Sequence, residues 1–148
     1  MASLVRQYKT DTGVRLLAQR LTRNLPDPAN VGTARNAAAE VTTLQQFVRD
    51  QVRYVKDVEG VETLQTPVYT LQSGSGDCDD KATLLNTLLA SIGYPTLFFA
   101  VGIGGNPYSH VVAGVKLGSR TIPLETIVAG VAPGWLPPNA NPILPWNV

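Results

Sequence analysis

One cysteine and one histidine occur among 148 residues, and their settings read as a nucleophile and its base. Cys78 stands in Gly76-Asp77-Cys78-Asp79-Asp80-Lys81, where a glycine-rich turn runs into a helical segment. A lone thiol makes no intrachain disulfide. The first turn of a helix offers unpaired N–H groups and the positive end of the macrodipole, and both stabilise a thiolate. Such a setting is expected to bring the thiol from about 8.5 toward or below neutrality. His110 is the sole imidazole available to take the thiol's proton. A carboxylate on its other ring nitrogen would fix the tautomer and stabilise imidazolium, and a helix-start N–H would hold an oxyanion. Gln65 and Gln72 are both candidates for a side-chain donor beside that amide, and nothing in the sequence chooses between them.

These residues need elements to position them. Cys78 to Ile92 carries Ala82, Leu85, Leu88, Leu89 and Ile92 on one side and stops at Gly93 and Pro95, which predicts a helix with a left-handed cap. Asp77 or Asp79 would cap its start. Upstream, Thr12–Asn24 reads as a short helix, and about Thr33 to Val55 as a longer one with Thr33 as N-cap. Residues 56–77 read as an extended connector. Downstream, Leu97–Val101 is an apolar run suited to a central strand, followed by a turn at Gly104-Gly105-Asn106-Pro107. His110–Leu117 and Arg120 to about Glu125 read as strands joined at Gly118-Ser119.

That hairpin places the base. With Leu117 opposite Arg120, Val112 falls opposite Glu125, and His110 shares Val112's face, diagonal to Glu125. The reading puts His110 and Glu125 on the less apolar face, with Val111, Ala113, Val115, Leu117, Ile122 and Leu124 on the packing face.

Composition excludes several classes. A net charge of +1 without a basic cluster argues against nucleic acid as partner. The uncharged stretch from Ala82 to Val115 is broken by Asn86, Gly93, Pro95, Gly102 and Pro107, so no membrane span is expected. The N-terminus lacks the apolar run of a signal peptide, which with one unpaired cysteine points to a reducing, cytoplasmic setting. Asp77, Asp79 and Asp80 read as helix caps; one His and one Cys argue against a zinc cluster, and no metal or cofactor is expected. Gly102-Ile103-Gly104-Gly105 lacks the Lys-Ser/Thr ending of a phosphate loop and reads as a turn.

Val48-Arg49-Asp50, Tyr54-Val55-Lys56-Asp57, Leu64-Gln65-Thr66-Pro67, Gly76-Asp77-Cys78-Asp79-Asp80-Lys81-Ala82, Ile92-Gly93-Tyr94-Pro95 and the strand at His110-Val111 together resemble the transglutaminase-like cysteine enzyme superfamily. The resemblance covers roughly residues 40–127, and similar small proteins occur in phage and prophage gene sets. It implies an α+β, papain-like core with N-terminal helices, an antiparallel sheet and a Cys–His–Asp triad acting on amide bonds. Cys78 takes the nucleophile's place and His110 the base's. Where the family has Leu-Asp-Pro, this chain reads Pro123-Leu124-Glu125-Thr126, so Glu125 stands as orienter with a longer reach.

The expectation is therefore one transglutaminase-like domain over 1–148, with a core of about 33–127 and a Pro-rich tail, 131–148. Its function is read as a thiol-dependent amide or peptide hydrolase with Cys78, His110 and Glu125 as triad and Gln65 as the oxyanion candidate. A protein-glutamine transamidase is one alternative. The other is a weakly active or inactive assembly protein of a phage particle, located in host cytoplasm or virion. A protein or peptide substrate is expected, and the tail, with Trp135 and Trp146, either wraps the domain or meets a protein partner.

Overall fold

The computed structural model describes residues 1–25, 36–57 and 63–148. Their helices are α1 (Ala2–Tyr8), α2 (Thr12–Thr22), α3 (Ala37–Gln51), α4 (Pro67–Ser73) and α5 (Cys78–Ser91). The strands are β1 (Arg53–Tyr54), β2 (Ser75–Gly76), β3 (Thr96–Ile103), β4 (Asn106–Leu117), β5 (Arg120–Leu124) and β6 (Ile143–Asn147). The architecture is α+β, with helices packed on an antiparallel sheet of order β5-β4-β3-β6.

Helix α5 is the axis of the molecule. Ala82, Leu84, Leu85, Leu88 and Leu89 are all fully buried, joined by Val5, Val14 and Ala18 from α1 and α2 and by Val41, Leu44 and Val48 from α3. On the sheet side Phe98, Ala113, Val115 and Leu124 complete the same core. Fully burying each such side chain contributes about 1.5–3 kcal/mol, so α5 is fixed on all sides.

One polar side chain sets the helix against the sheet. Asn86, fully buried, donates from Nδ2 to the Leu97 carbonyl at 2.7 Å and accepts from the Gly114 amide at 3.3 Å. It thereby links α5 to both central strands, and so relates the start of α5 to the strand bearing His110. Asn86→Ala would remove both of these bonds between α5 and the sheet. It is expected to cost about 2 kcal/mol in a denaturant titration.

The hairpin register matches the sequence reading: Leu117 pairs with Arg120, Val115 with Ile122 and Ala113 with Leu124, with no bulge at Pro123. Other expectations are corrected. Thr33 lies outside the described residues, and α3 is capped by Asn36, whose side chain accepts from the Ala39 amide at 3.0 Å. Helix α3 stops at Gln51, before Val55, because Val52 turns extended. The connector holds α4, started by Thr66 and Pro67 and ended by Gly74 in the left-handed conformation. Helix α1 precedes the first expected helix. The face of His110 is itself apolar, since Leu97, Phe99, Val101 and Val112 pack there with Leu136 and Ala140. In the tail, β6 pairs with β3, and Trp146 stacks on Phe98 at 5.3 Å between ring centroids.

Candidate active site

The loop before Cys78 is built by carboxylates that accept backbone N–H groups. Asp77, the N-cap of α5, accepts from the amides of Asp79 at 3.0 Å and Asp80 at 3.1 Å. Asp80 closes the capping box by accepting from the Asp77 amide at 3.3 Å, and also from the Gln65 amide at 2.7 Å. Asp77 and Asp80 are thus spent on capping, as expected, whereas the Asp79 side chain takes the Cys78 thiol instead. Asp80 is 1 % exposed, and burial above all raises its carboxyl to about 6. Gly76 is required here, because a Cβ would lie 2.7 Å from the Asp80 side chain.

His110 and Glu125 meet as the hairpin geometry predicts. His110 Nε2 lies 2.7 Å from Glu125 Oε2, and both side chains are largely buried. Oε1 of Glu125 accepts from the amides of Thr126 at 2.8 Å and Ile127 at 2.7 Å. Burial pushes the Glu125 carboxyl up, but His110 and the two amides outweigh it and hold the group below its ordinary value. Gln45 of α3, fully buried, donates from Nε2 to the Glu125 carbonyl at 2.9 Å, while its Oε1 has no partner among the described residues.

Cys78 is half-buried, and the backbone of Val111, the neighbour of His110 on β4, lies close enough to favour its thiolate. The thiol also donates to Asp79 Oδ1 at 3.4 Å. Here the expectation of a lowered thiol fails. Burial, the largest cause, together with the charges of Asp79 and Asp77, pushes Cys78 up to about 12 against the relief that Val111 gives. The helix start is present, but desolvation and two carboxylates overrule it.

Gln65 is pinned by its backbone to Asp80, and its Oε1 accepts from the Thr70 hydroxyl at 3.3 Å. Its amide nitrogen is left to donate. Gln72 lies exposed on α4. Two supports escaped the sequence reading. Lys81, 1 % exposed, donates to the carbonyls of Val52 at 2.6 Å and Arg49 at 3.3 Å, closing the end of α3. Burial lowers its ammonium, and the charge of Glu125 opposes that shift. Gln45 and Lys81 sit at core positions of their helices, where the apolar period carries no sign of a polar role.

Asp77, Cys78 and Asp79 bring one ligand atom each within 4.8 Å of one another, the acidic cap seen from its open side. A cavity of about 860 Å³, lined by Arg15, Gln19, Arg23, Glu40 and Gly93, lies at the other end of α5, roughly 20 Å along the helix from Cys78. It takes no part in this site. No described helix is long and apolar enough to cross a membrane.

A family model described as the transglutaminase-like superfamily matches residues 17–136. No curated protein matches the chain. Among solved structures, LapG of Legionella pneumophila superposes with a TM-score of 0.62 at 19% identity, over 99% of this chain and 81% of that one. A candidate cysteine protease from Cytophaga hutchinsonii gives 0.62 at 17% identity, over 80% of this chain and 38% of that one. A candidate protease from Parabacteroides distasonis gives 0.60 at 18% identity, over 84% of this chain but 25% of that one. The chain thus spans well under half of the last two proteins. At these identities the likeness is one of fold.

Proposed function

Because the chain belongs to the transglutaminase-like superfamily, its family model covering residues 17–136, we propose that it is a thiol-dependent hydrolase of amide or peptide bonds acting through an acyl-enzyme. The observation that carries this reading is the 2.7 Å contact of His110 Nε2 with Glu125, on the strand whose Val111 backbone lies close to Cys78.

With Nε2 engaged by Glu125, Nδ1 is the nitrogen that takes the thiol proton. Sulfur bonds to the substrate carbonyl carbon as its proton passes to Nδ1, and the C=O electron pair moves onto oxygen. The Cys78 amide, at the start of α5, and Gln65 Nε2 are the donors assigned to that oxygen. Collapse expels the amine, which takes the proton back from imidazolium. Water, deprotonated by His110, then attacks the thioester and frees the acid and the thiol. Glu125 stabilises imidazolium throughout.

With burial and two carboxylates pushing the thiol up to about 12, this reading has proton transfer to Nδ1 accompany attack rather than precede it. One LapG structure is calcium-bound. Calcium takes about six to eight oxygens. Of the six carboxylate oxygens on Asp77, Asp79 and Asp80, three accept backbone amides, which leaves at most three. No step of this reading runs through an ion.

Burial of the thiol favours a second reading, an interaction protein that keeps the fold with little activity. Iodoacetamide separates the two. If His110 serves Cys78, His110→Ala is expected to slow alkylation of Cys78 at pH 7.5 at least about tenfold. Equal rates in the two proteins would overturn the hydrolase and leave the interaction protein. Water is the default acyl acceptor, and transamidation would show as incorporation of an added primary amine.

A further inference from the structure

The polar side chain nearest to unused is a phenol on the strand that pairs with the turn leading into Cys78. Tyr54 lies in β1, which pairs in parallel with β2, so that Tyr54 stands opposite Gly76, two residues before Cys78. The ladder is short but closed, since the Arg53 amide donates to the Gly74 carbonyl at 2.8 Å and the Val55 amide to Gly76 at 3.0 Å. Lys81 adds a second tie from the nucleophile's own helix, its ammonium holding the Val52 carbonyl at 2.6 Å. Tyr54 is therefore fixed to α5 from both sides. Its ring is 43% exposed, and its hydroxyl has no hydrogen-bond partner among the described residues. Burial above all, and then the charges of Cys78 and Asp77, raise the phenol above its ordinary value.

We propose that the Tyr54 hydroxyl donates a hydrogen bond to the substrate's carbonyl oxygen as negative charge develops there during acyl transfer to Cys78. The proposal rests on the hydrolase reading above. It adds a donor from β1 to those assigned to the Cys78 amide and Gln65. No proton leaves the phenol; the hydroxyl only follows the oxygen from carbonyl to oxyanion. A phenol that stays protonated suits that task. Its neighbours also argue against a structural role for the hydroxyl, because the β1–β2 ladder and the Lys81 ammonium bind this segment through its backbone alone.

Two reactions of the same sulfur test this. Acylation of Cys78 by p-nitrophenyl acetate passes through an oxyanion, whereas alkylation by iodoacetamide displaces iodide at a saturated carbon and forms none. Tyr54→Phe keeps the ring and removes the donor. It is expected to slow p-nitrophenol release in the acylation phase by roughly 100-fold, with alkylation within about twofold of the parent. Cys78→Ala supplies the blank, and thermal melting checks the fold. Equal losses in both reactions would mean that the hydroxyl places the thiol, and would overturn the proposal. Loss in neither would overturn it as well. Failure of the hydrolase reading looks different: alkylation would be indifferent to His110→Ala whatever Tyr54→Phe does.

Discussion

Cys78→Ala and His110→Ala are each expected to lower hydrolysis of the best substrate from a peptide-amide library by about 10⁶, and the double variant by no more than either. Nucleophile and base act as a unit, so removing one leaves the other nothing to do. Thermal melts should change little for Cys78→Ala, since the sulfur is half-buried and only one methyl-sized group is lost. Glu125→Gln is the more telling substitution. The amide can keep its oxygen on the Thr126 and Ile127 amides, which leaves its NH₂ facing His110 Nε2. Nε2 must then accept, the ring proton moves to Nδ1, and the nitrogen meant for the thiol is blocked. A loss of roughly 10⁴ is expected, as for the analogous exchange in serine hydrolase triads. A loss under tenfold, measured on the same substrate, would remove Glu125 from the triad.

The second large effect is on stability and its pH dependence. Asp80 has a folded value of about 6 against 3.8 for the free group, with burial the main cause. A carboxyl raised by folding contributes stability that is fully present below about 3.8 and is lost as pH rises through about 6. The two-unit shift corresponds to about 3 kcal/mol, and at 1 % exposure little of it is screened away. Asp80→Asn cannot titrate. The stability of the parent relative to Asp80→Asn should therefore fall by about 2.4 kcal/mol between pH 4 and pH 7, read from paired urea titrations. Glu125, lowered by folding, works in the other sense, but its contribution is lost only as pH falls below the ordinary glutamate range, and it cancels between the two proteins. A flat difference would mean that Asp80 stays ionised throughout.

Local signals gave the sequence reading most of the frame. Gly118-Ser119 set a register that brings His110 to Glu125 without any knowledge of the fold, because side-chain alternation carries across a hairpin. Gly93 and Pro95 ended α5 in the same local way. Helix α4 also had its signals, Thr66, Pro67 and Gly74, but only seven residues lie in the helix and no apolar stripe drew attention to it. Strand β6 was hidden by Pro145 and by the lack of alternation in an edge strand exposed at Ile143 and Leu144. The thiol was misjudged for a different reason. A helix start is visible in sequence, whereas burial, which dominates Cys78, depends on what α5 packs against. Asn86, Gln45 and Lys81 share that difficulty, since their partners are backbone groups up to 80 residues away.

Strand β6 gives the molecule a timetable. Cys78, His110 and Glu125 all precede it in the chain, yet β3 has β6 as its neighbour on one side, pairing Leu97 with Asn147 and Val101 with Ile143. At about 5–20 residues per second on the ribosome, roughly one to four seconds separate the synthesis of Glu125 from that of β6. During that interval every proposed catalytic group has been made, while the Leu97–Val101 row presents an open hydrogen-bonding edge to any other nascent strand. Hazard and proposed chemistry are therefore separated along the chain, since the edge of β3 is closed only by a strand made after all three groups.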